Sequence, residues 1–113
     1  ARLTAVAATL AGGDPRGAVR AWRADADRHP SPNAGPVEAS FAGALGVRLG
    51  GTLSYAGRVE HRPVLNGEGR PVEVADIDRA VRLSRRVTAL TLAACIGGRM
   101  IIGAVKSAKR RNA

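Results

Sequence analysis

Blocks of apolar residues, each closed by glycine or proline, set out the elements of this chain. Ala1–Ala11 is alanine-rich, broken only by Arg2 and two threonines. It reads as a helix that Gly12-Gly13 ends by allowing a left-handed cap. Asp14-Pro15 restarts a helix over about 15–28, with Asp as the N-cap and Pro at the first helical position. Val19, Trp22 and Ala26 recur there at i, i+3 and i+7 and predict one apolar stripe. Arg16, Arg20 and Arg23 flank it, and Arg23 and Asp27 are spaced to pair. His29-Pro30 stops this helix, because the residue before proline is pushed out of the α region. Pro36 opens the next helix, about 36–46, with Gly35 at its cap and Glu38 in its first turn. Ala39, Ala42, Gly43 and Gly46 give that helix a face of small residues which another helix backbone can approach closely. Phe41 and Leu45 form its bulkier side.

Residues 47–72 lose the helical period. Alternation in Leu53-Ser54-Tyr55 and Val59-Glu60-His61 predicts a short, irregular hairpin closed near Ala56-Gly57. Pro63 confines its second strand to a sheet edge. Asn66-Gly67-Glu68-Gly69 is read as a mobile turn without chemistry. Helix returns over about 74–107, with Glu73 and Asp76 at its positive end. Ile77, Ala80, Val81 and Ser84 share one side, Arg79, Arg82, Arg85 and Arg86 the other, and Asp78 and Arg82 are spaced to pair. The stretch Val87–Val105 then carries one charge, Arg99, and no acid. At 1.5 Å per residue it reaches roughly 28 Å, enough to cross a hydrocarbon core. Arg99, at about 2.5–3.5 kcal/mol on insertion scales, argues the other way. A membrane-embedded helix and a soluble amphipathic one both remain open. Basic residues flank both ends, so the positive-inside rule does not orient it. The closing residues 106–113 read as a solvated or headgroup-touching tail.

Composition changes this picture in two respects. Much of the 45 % hydrophobic content is alanine, which buries little area per residue at ~25 cal/mol per Å², so an isolated soluble core would be thin. The expected fold is therefore all-α with a short β-hairpin between helices, leaning on lipid or on further sequence. A start at Ala1 inside an apolar run, without a signal peptide, suggests a fragment or a processed chain. The second respect is charge. Eighteen Lys and Arg against nine Asp and Glu give a net charge of +9 and favour anionic partners. One Trp, one Tyr and one Phe leave no aromatic platform for single-stranded nucleic acid. The single cysteine, Cys95, excludes an internal disulfide and reads as a small core residue.

Candidate chemistry concentrates in His29–Gly51. No P-loop, nucleophile elbow, dinucleotide fingerprint or HExxH motif occurs, and the two histidines, His29 and His61, stand far apart, so no metal site is expected. A helix start at Pro36 would present N–H groups to a phosphate or carboxylate. Ser31 and Asn33 can add hydrogen bonds there or merely satisfy the turn, and His29 can give or take a proton. Glu38 can cap the helix or act as a base, and Arg48 can supply charge if the chain folds back.

His29-Pro-Ser-Pro-Asn-Ala-Gly35 followed by Pro36-Val-Glu-Ala-Ser-Phe-Ala-Gly-Ala-Leu-Gly-Val-Arg-Leu-Gly-Gly51 resembles the signature of the adenosylcobinamide-phosphate synthase (CobD/CbiB) family of cobalamin biosynthesis. The likeness continues through Tyr55-Ala-Gly57, Gly69-Arg-Pro71 and Asp76–Leu83. Pro36 stands where many members carry an aromatic residue. The resemblance implies a multi-pass bacterial cell-membrane enzyme, of which residues 1–113 would be a C-terminal portion completed by an N-terminal remainder. It implies an ATP-linked (Mg-dependent) amide ligation between the carboxylate of adenosylcobyric acid, a corrinoid, and (R)-1-aminopropan-2-ol or its O-phosphate. Carried onto this sequence, His29 and Glu38 become the catalytic candidates, and Ser31, Asn33, Gly35 and Arg48 the substrate- or phosphate-binding ones. The fragment alone is expected to be inactive. Two rival readings are a non-catalytic membrane relative that senses or scaffolds and a basic nucleic-acid-binding module; the arginines are spread over several helices, and no nucleic acid partner is expected.

Overall fold

A computed structural model describes residues 1–112. The chain is mostly helical: α1 (Arg2–Leu10), α2 (Pro15–Asp25), α3 (Ala34–Leu45), a hairpin of β1 (Leu49–Tyr55) and β2 (Arg58–Leu65), and α4 (Ala75–Arg111). A single 3-10 turn, Ala26–Arg28, follows α2, and the whole measures 66 × 27 × 27 Å.

Local chemistry explains most boundaries. Asp14 caps α2, its Oδ1 accepting from the Gly17 N–H at 3.0 Å, with Pro15 in the first turn. Gly12 and Gly13 both adopt positive φ after α1, and Gly46 ends α3 in the left-handed region at φ 69°. α3 starts two residues before Pro36. Ser31 makes this possible: its Oγ accepts from the N–H groups of Asn33 and Ala34, at 3.3 and 3.1 Å, and its carbonyl from Gly35 at 3.1 Å. Pro36 therefore falls in the third helical position, Gly35 lies inside the helix, and Glu38 lies beyond the first turn.

The core is built from small side chains. Ala7, Ala8, Ala18, Ala44, Leu83 and Val87 form its centre, with Phe41 and Leu45 packed against it. α2 and α3 touch through their backbones: a Cβ added at Gly43 would lie 2.1 Å from the Gly17 carbonyl oxygen. Ala39, Ala42 and Gly43 do form a buried small-residue face, while Gly46 is the exposed cap. The buried side of α2 is Gly17, Ala18, Ala21 and Asp25; of the expected stripe Ala26 is buried just past the helix, but Val19 and Trp22 are not, because close helix approach selects small residues over large ones. On α4 the buried positions are Asp76, Leu83 and Val87, whereas Ile77 and Val81 face outwards.

The hairpin turns at Ala56-Gly57, both at positive φ, as a two-residue turn between tightly twisted strands requires. Tyr55 pairs with Arg58 and Thr52 with His61, and a bulge near Gly50 shifts the register before Leu49 meets Leu65. Gly50 is obligatory there: its φ is 84° and a Cβ would lie 2.0 Å from the Pro63 carbonyl oxygen.

α4 is unbroken from Ala75 to Arg111, so the expected tail is helical through Arg111. Beyond Val87 it leaves the body, and Leu92, Ile96, Ile101, Ile102 and Val105 are each more than half exposed. It is long and apolar enough to cross a membrane by length and composition. Cys95 lies on this bare stretch and is exposed, not a core residue, since nothing packs beside the helix there.

Candidate functional site

His29 follows the 3-10 turn in an extended conformation, the geometry that Pro30 imposes on its predecessor. Two contacts fix its ring. The Ser31 N–H donates to His29 Nδ1 at 3.0 Å, and Nε2 lies 3.2 Å from Glu38 Oε2. An Nδ1 that accepts must be unprotonated, so the ring proton sits on Nε2 and is donated to the Glu38 carboxylate. Gly35 permits this arrangement. A Cβ there would lie 2.2 Å from the Ala26 carbonyl oxygen and 3.2 Å from His29 Cβ, so only glycine lets α3 come this close to the turn carrying the histidine.

The His29–Glu38 pair opens into a cleft of about 580 Å³ between α3 and the hairpin. His61, Arg62 and Pro63 line the opposite wall, with Leu65 among its apolar surfaces. His61 Nδ1 is 3.0 Å from Thr52 Oγ1, and Arg62 pairs with Glu60 at 3.2 Å. The two histidines, distant in sequence, thus border one hollow. His29 also borders a second hollow of about 450 Å³ with Arg2, Trp22 and Arg23.

The other expected residues divide. Ser31 and Gly35 build the turn that orients His29, and Asn33 is the α3 N-cap residue without a side-chain cap bond. The N–H groups of Asn33, Ala34 and Gly35 are already satisfied by Ser31, and Pro36 has none, so this helix start does not present a free set of donors. Arg48 is exposed at the far end of the hairpin base, its N–H donating to the Arg70 carbonyl at 2.8 Å, and it does not line the His29–Glu38 cleft. Arg23–Asp27 and Asp78–Arg82 are not among the described ion pairs; Asp25 with Arg28, and Asp76 with Arg70 and Arg79, take their place. Asp27 leaves helical phase in the 3-10 turn.

Two polar networks tie the elements of the body together. Asn66, in the turn read as mobile, is buried: its N–H donates to Asp25 Oδ2 at 2.8 Å, and its Nδ2 to the carbonyls of Ala42 and Val47 at 3.2 and 2.9 Å. Asp76 is the second hub. Arg70 grips it with two nitrogens, the Glu73 N–H donates to Oδ2 at 2.8 Å, and Arg79 Nη1 to Oδ1 at 2.8 Å. The Arg70 hydrogen bond, then that of Glu73, holds the Asp76 carboxyl far below the usual carboxylate range, and Asp76 in turn raises the Arg70 guanidinium. Sequence spacing could have suggested the Asp76–Arg79 contact at i,i+3, but not Arg70 or Asn66. Among the described residues no group of three or more His, Cys, Asp and Glu is arranged to hold a metal ion.

The family profile described as "CobD/Cbib protein" matches residues 1–84, and the matched region ends just before α4 leaves the body. A cobalamin biosynthesis protein CobD of Mycobacterium tuberculosis is 62 % identical over 87 residues, which are 77 % of this chain and 28 % of the relative. The protein of the same name from Chromobacterium violaceum is 46 % identical over 105 residues, 93 % of this chain and 33 % of its own. That of Klebsiella pneumoniae is 40 % identical over 103 residues, 90 % and 32 % of the two chains. The chain thus spans about a third or less of the length of these curated relatives. No solved structure matches it.

Proposed function

Because this chain belongs to the CobD/CbiB family, we propose that it serves cobalamin biosynthesis as part of an adenosylcobinamide-phosphate synthase. The reaction joins a side-chain carboxylate of adenosylcobyric acid to the amine of (R)-1-aminopropan-2-ol or its O-phosphate, with ATP consumed. The single observation supporting a chemical role for this portion is the His29–Glu38 pair in the open hairpin cleft.

Amide formation needs an amine nucleophile, and an aliphatic amine is an ammonium ion at neutral pH, with a pKa of about 10. One group in the cleft is built to receive that ammonium. Both ring nitrogens of His29 are committed, one to Ser31 and one to Glu38, so the imidazole orients and does not accept. Glu38 is half-exposed and keeps its second oxygen for the substrate. It binds the ammonium and accepts the amine proton that is released as the C–N bond forms, while Arg62 and His61 across the cleft suit a phosphate ester on the same small molecule. Among the described residues no group of three or more His, Cys, Asp and Glu stands ready for the magnesium that would accompany ATP. The long bare helix supports a cell-membrane location for this machinery, and in this reading the remainder of the longer protein supplies further spans.

The experiment is single-turnover conversion of adenosylcobyric acid by the full-length enzyme, followed by mass spectrometry of the amide. Glu38→Gln should lower the single-turnover rate by two orders of magnitude or more, within the usual ~10²–10⁴ of a general base. Near-normal turnover in this variant would overturn the assignment.

A further inference from the structure

On the far side of the core, away from the His29–Glu38 cleft, α4 presents Arg79, Arg82 and Arg86 at i, i+3 and i+7 beside the Gly12-Gly13 turn. They enclose a hollow of about 210 Å³, floored by Leu45 and Leu83. Arg79 is tied in place, to Asp76 at 2.8 Å and to the Leu45 carbonyl at 3.0 Å. Arg82 and Arg86 have no carboxylate within ion-pair distance among the described residues. Asp76 does not neutralise them, because Arg70, Arg79 and the Glu73 N–H already occupy its oxygens. Two like charges one helical turn apart are mutually unfavourable unless something anionic lies between them. The turn is cut to admit that arrangement: a Cβ at Gly12 would lie 2.9 Å from Arg86 Nη1, and Gly12 holds φ 117°, so its missing side chain leaves the guanidinium its place.

We propose that this hollow is a phosphate-binding site, taking a phosphoryl or pyrophosphoryl group through the paired guanidiniums of Arg82 and Arg86. Arginine pairs recognise phosphate oxygens through two parallel N–H donors each. The volume lies below the ~300 Å³ at which pockets for drug-sized ligands begin, which suits a phosphate group more than a whole nucleotide. The site lies at the root of the bare apolar helix, so the phosphate comes either from a lipid headgroup or from a soluble phosphate ester. No residue is shared with the His29–Glu38 cleft.

The test uses the full-length protein in nanodiscs of phosphatidylcholine, titrated with inorganic pyrophosphate by calorimetry. Arg82→Gln and Arg86→Gln should each weaken binding about tenfold, the loss of one charge-assisted contact. Arg85→Gln removes the same charge from the same helix but does not line the hollow, and should bind like the wild type. Discs containing phosphatidylglycerol separate the sources: pyrophosphate displaced there identifies the lipid headgroup, and undiminished binding identifies the soluble ester. If pyrophosphate fails to bind, a shift of the phosphatidylglycerol ³¹P resonance that Arg82→Gln and Arg86→Gln abolish still supports the site. Absence of both signals overturns the proposal, and so does equal weakening by Arg85→Gln, which would show only a general surface charge.

Discussion

Asp25 and Asn66 stand 41 positions apart and meet in one buried hydrogen bond, the Asn66 N–H donating to Asp25 Oδ2 at 2.8 Å. Through it the end of α2 is clamped to the end of β2, and the hairpin wall of the cleft is held in place. Asp25→Ala strands a buried backbone donor and should cost about 1–3 kcal/mol in stability. Asn66→Ala keeps that N–H but leaves the Val47 carbonyl without its side-chain donor and puts alanine at φ 54°. Thermal melts of the full-length protein should therefore rank Asn66→Ala below Asn66→Gly, because glycine adopts that φ freely.

Asp76 sets a pH dependence. Its folded pKa lies well below the unfolded carboxylate value of about 4, so its contribution is present above that pH and fades as the pH falls beneath it. The stability advantage of the wild type over Asp76→Asn should be full at neutral pH and should shrink steadily in acid below about pH 4. A constant difference across that range would contradict the coupling to Arg70 and Arg79.

Gly43→Ala should destabilise the protein by about 1–3 kcal/mol, because the new methyl meets the backbone of α2, which cannot step aside as a side chain can. Gly46→Ala meets nothing within 4 Å, and only its φ of 69° is unfavourable, a cost of about 1–2 kcal/mol. Chemical denaturation of the pair separates overpacking from backbone strain: a Gly43 variant with leucine should be far worse than with alanine, whereas Gly46 should be indifferent to side-chain size.

His29→Gln should lower turnover less than Glu38→Gln if the imidazole orients the carboxylate and does not itself carry the proton. Its pH–rate profile should change shape, and His29→Asn, with an amide nitrogen near the position of the ring Nδ1, should not restore the Glu38 contact. Equal losses in His29→Gln and Glu38→Gln, with the same pH profile, would make the two a single catalytic unit.

Cys95 reports on the bare helix. In intact membranes it should resist a membrane-impermeant maleimide and react once detergent is added; rapid labelling in intact membranes from either side would place α4 in water.

How much of this could be read from the chain varies with how local the cause is. The Asp14-Pro15 start and the Ala56-Gly57 turn follow from near neighbours, and both were legible. The start of α3 is hidden because Pro36 has the look of a first helical residue, while Ser31, five positions earlier, supplies the acceptor that starts the helix sooner. Asn66 looked like loop because turn residues carry the same composition whether they face solvent or, as here, a buried carboxylate. The Val19–Trp22–Ala26 spacing finds Ala26 but misses Gly17, Ala18 and Ala21, because close contact with α3 demands small residues on a face that hydrophobicity alone does not mark. Around the cleft, His29 and Glu38 were visible as nearby polar residues, but His61 and Arg62 arrive through the fold of the hairpin, which no spacing encodes.

α4 couples the body to the bare helix without a hinge. One unbroken helix joins the turns that pack under Leu45 to the turns that stand clear of the body. Each residue in it advances about 100° around the axis, so the rotational phase between body and bare helix is written into its length. Inserting a single residue after Val87 would swing the outer apolar face by about a quarter turn, and four would nearly restore it. Activity of such insertions should rise and fall with the helical repeat, so the same residues could act as a register that sets which way the cleft faces.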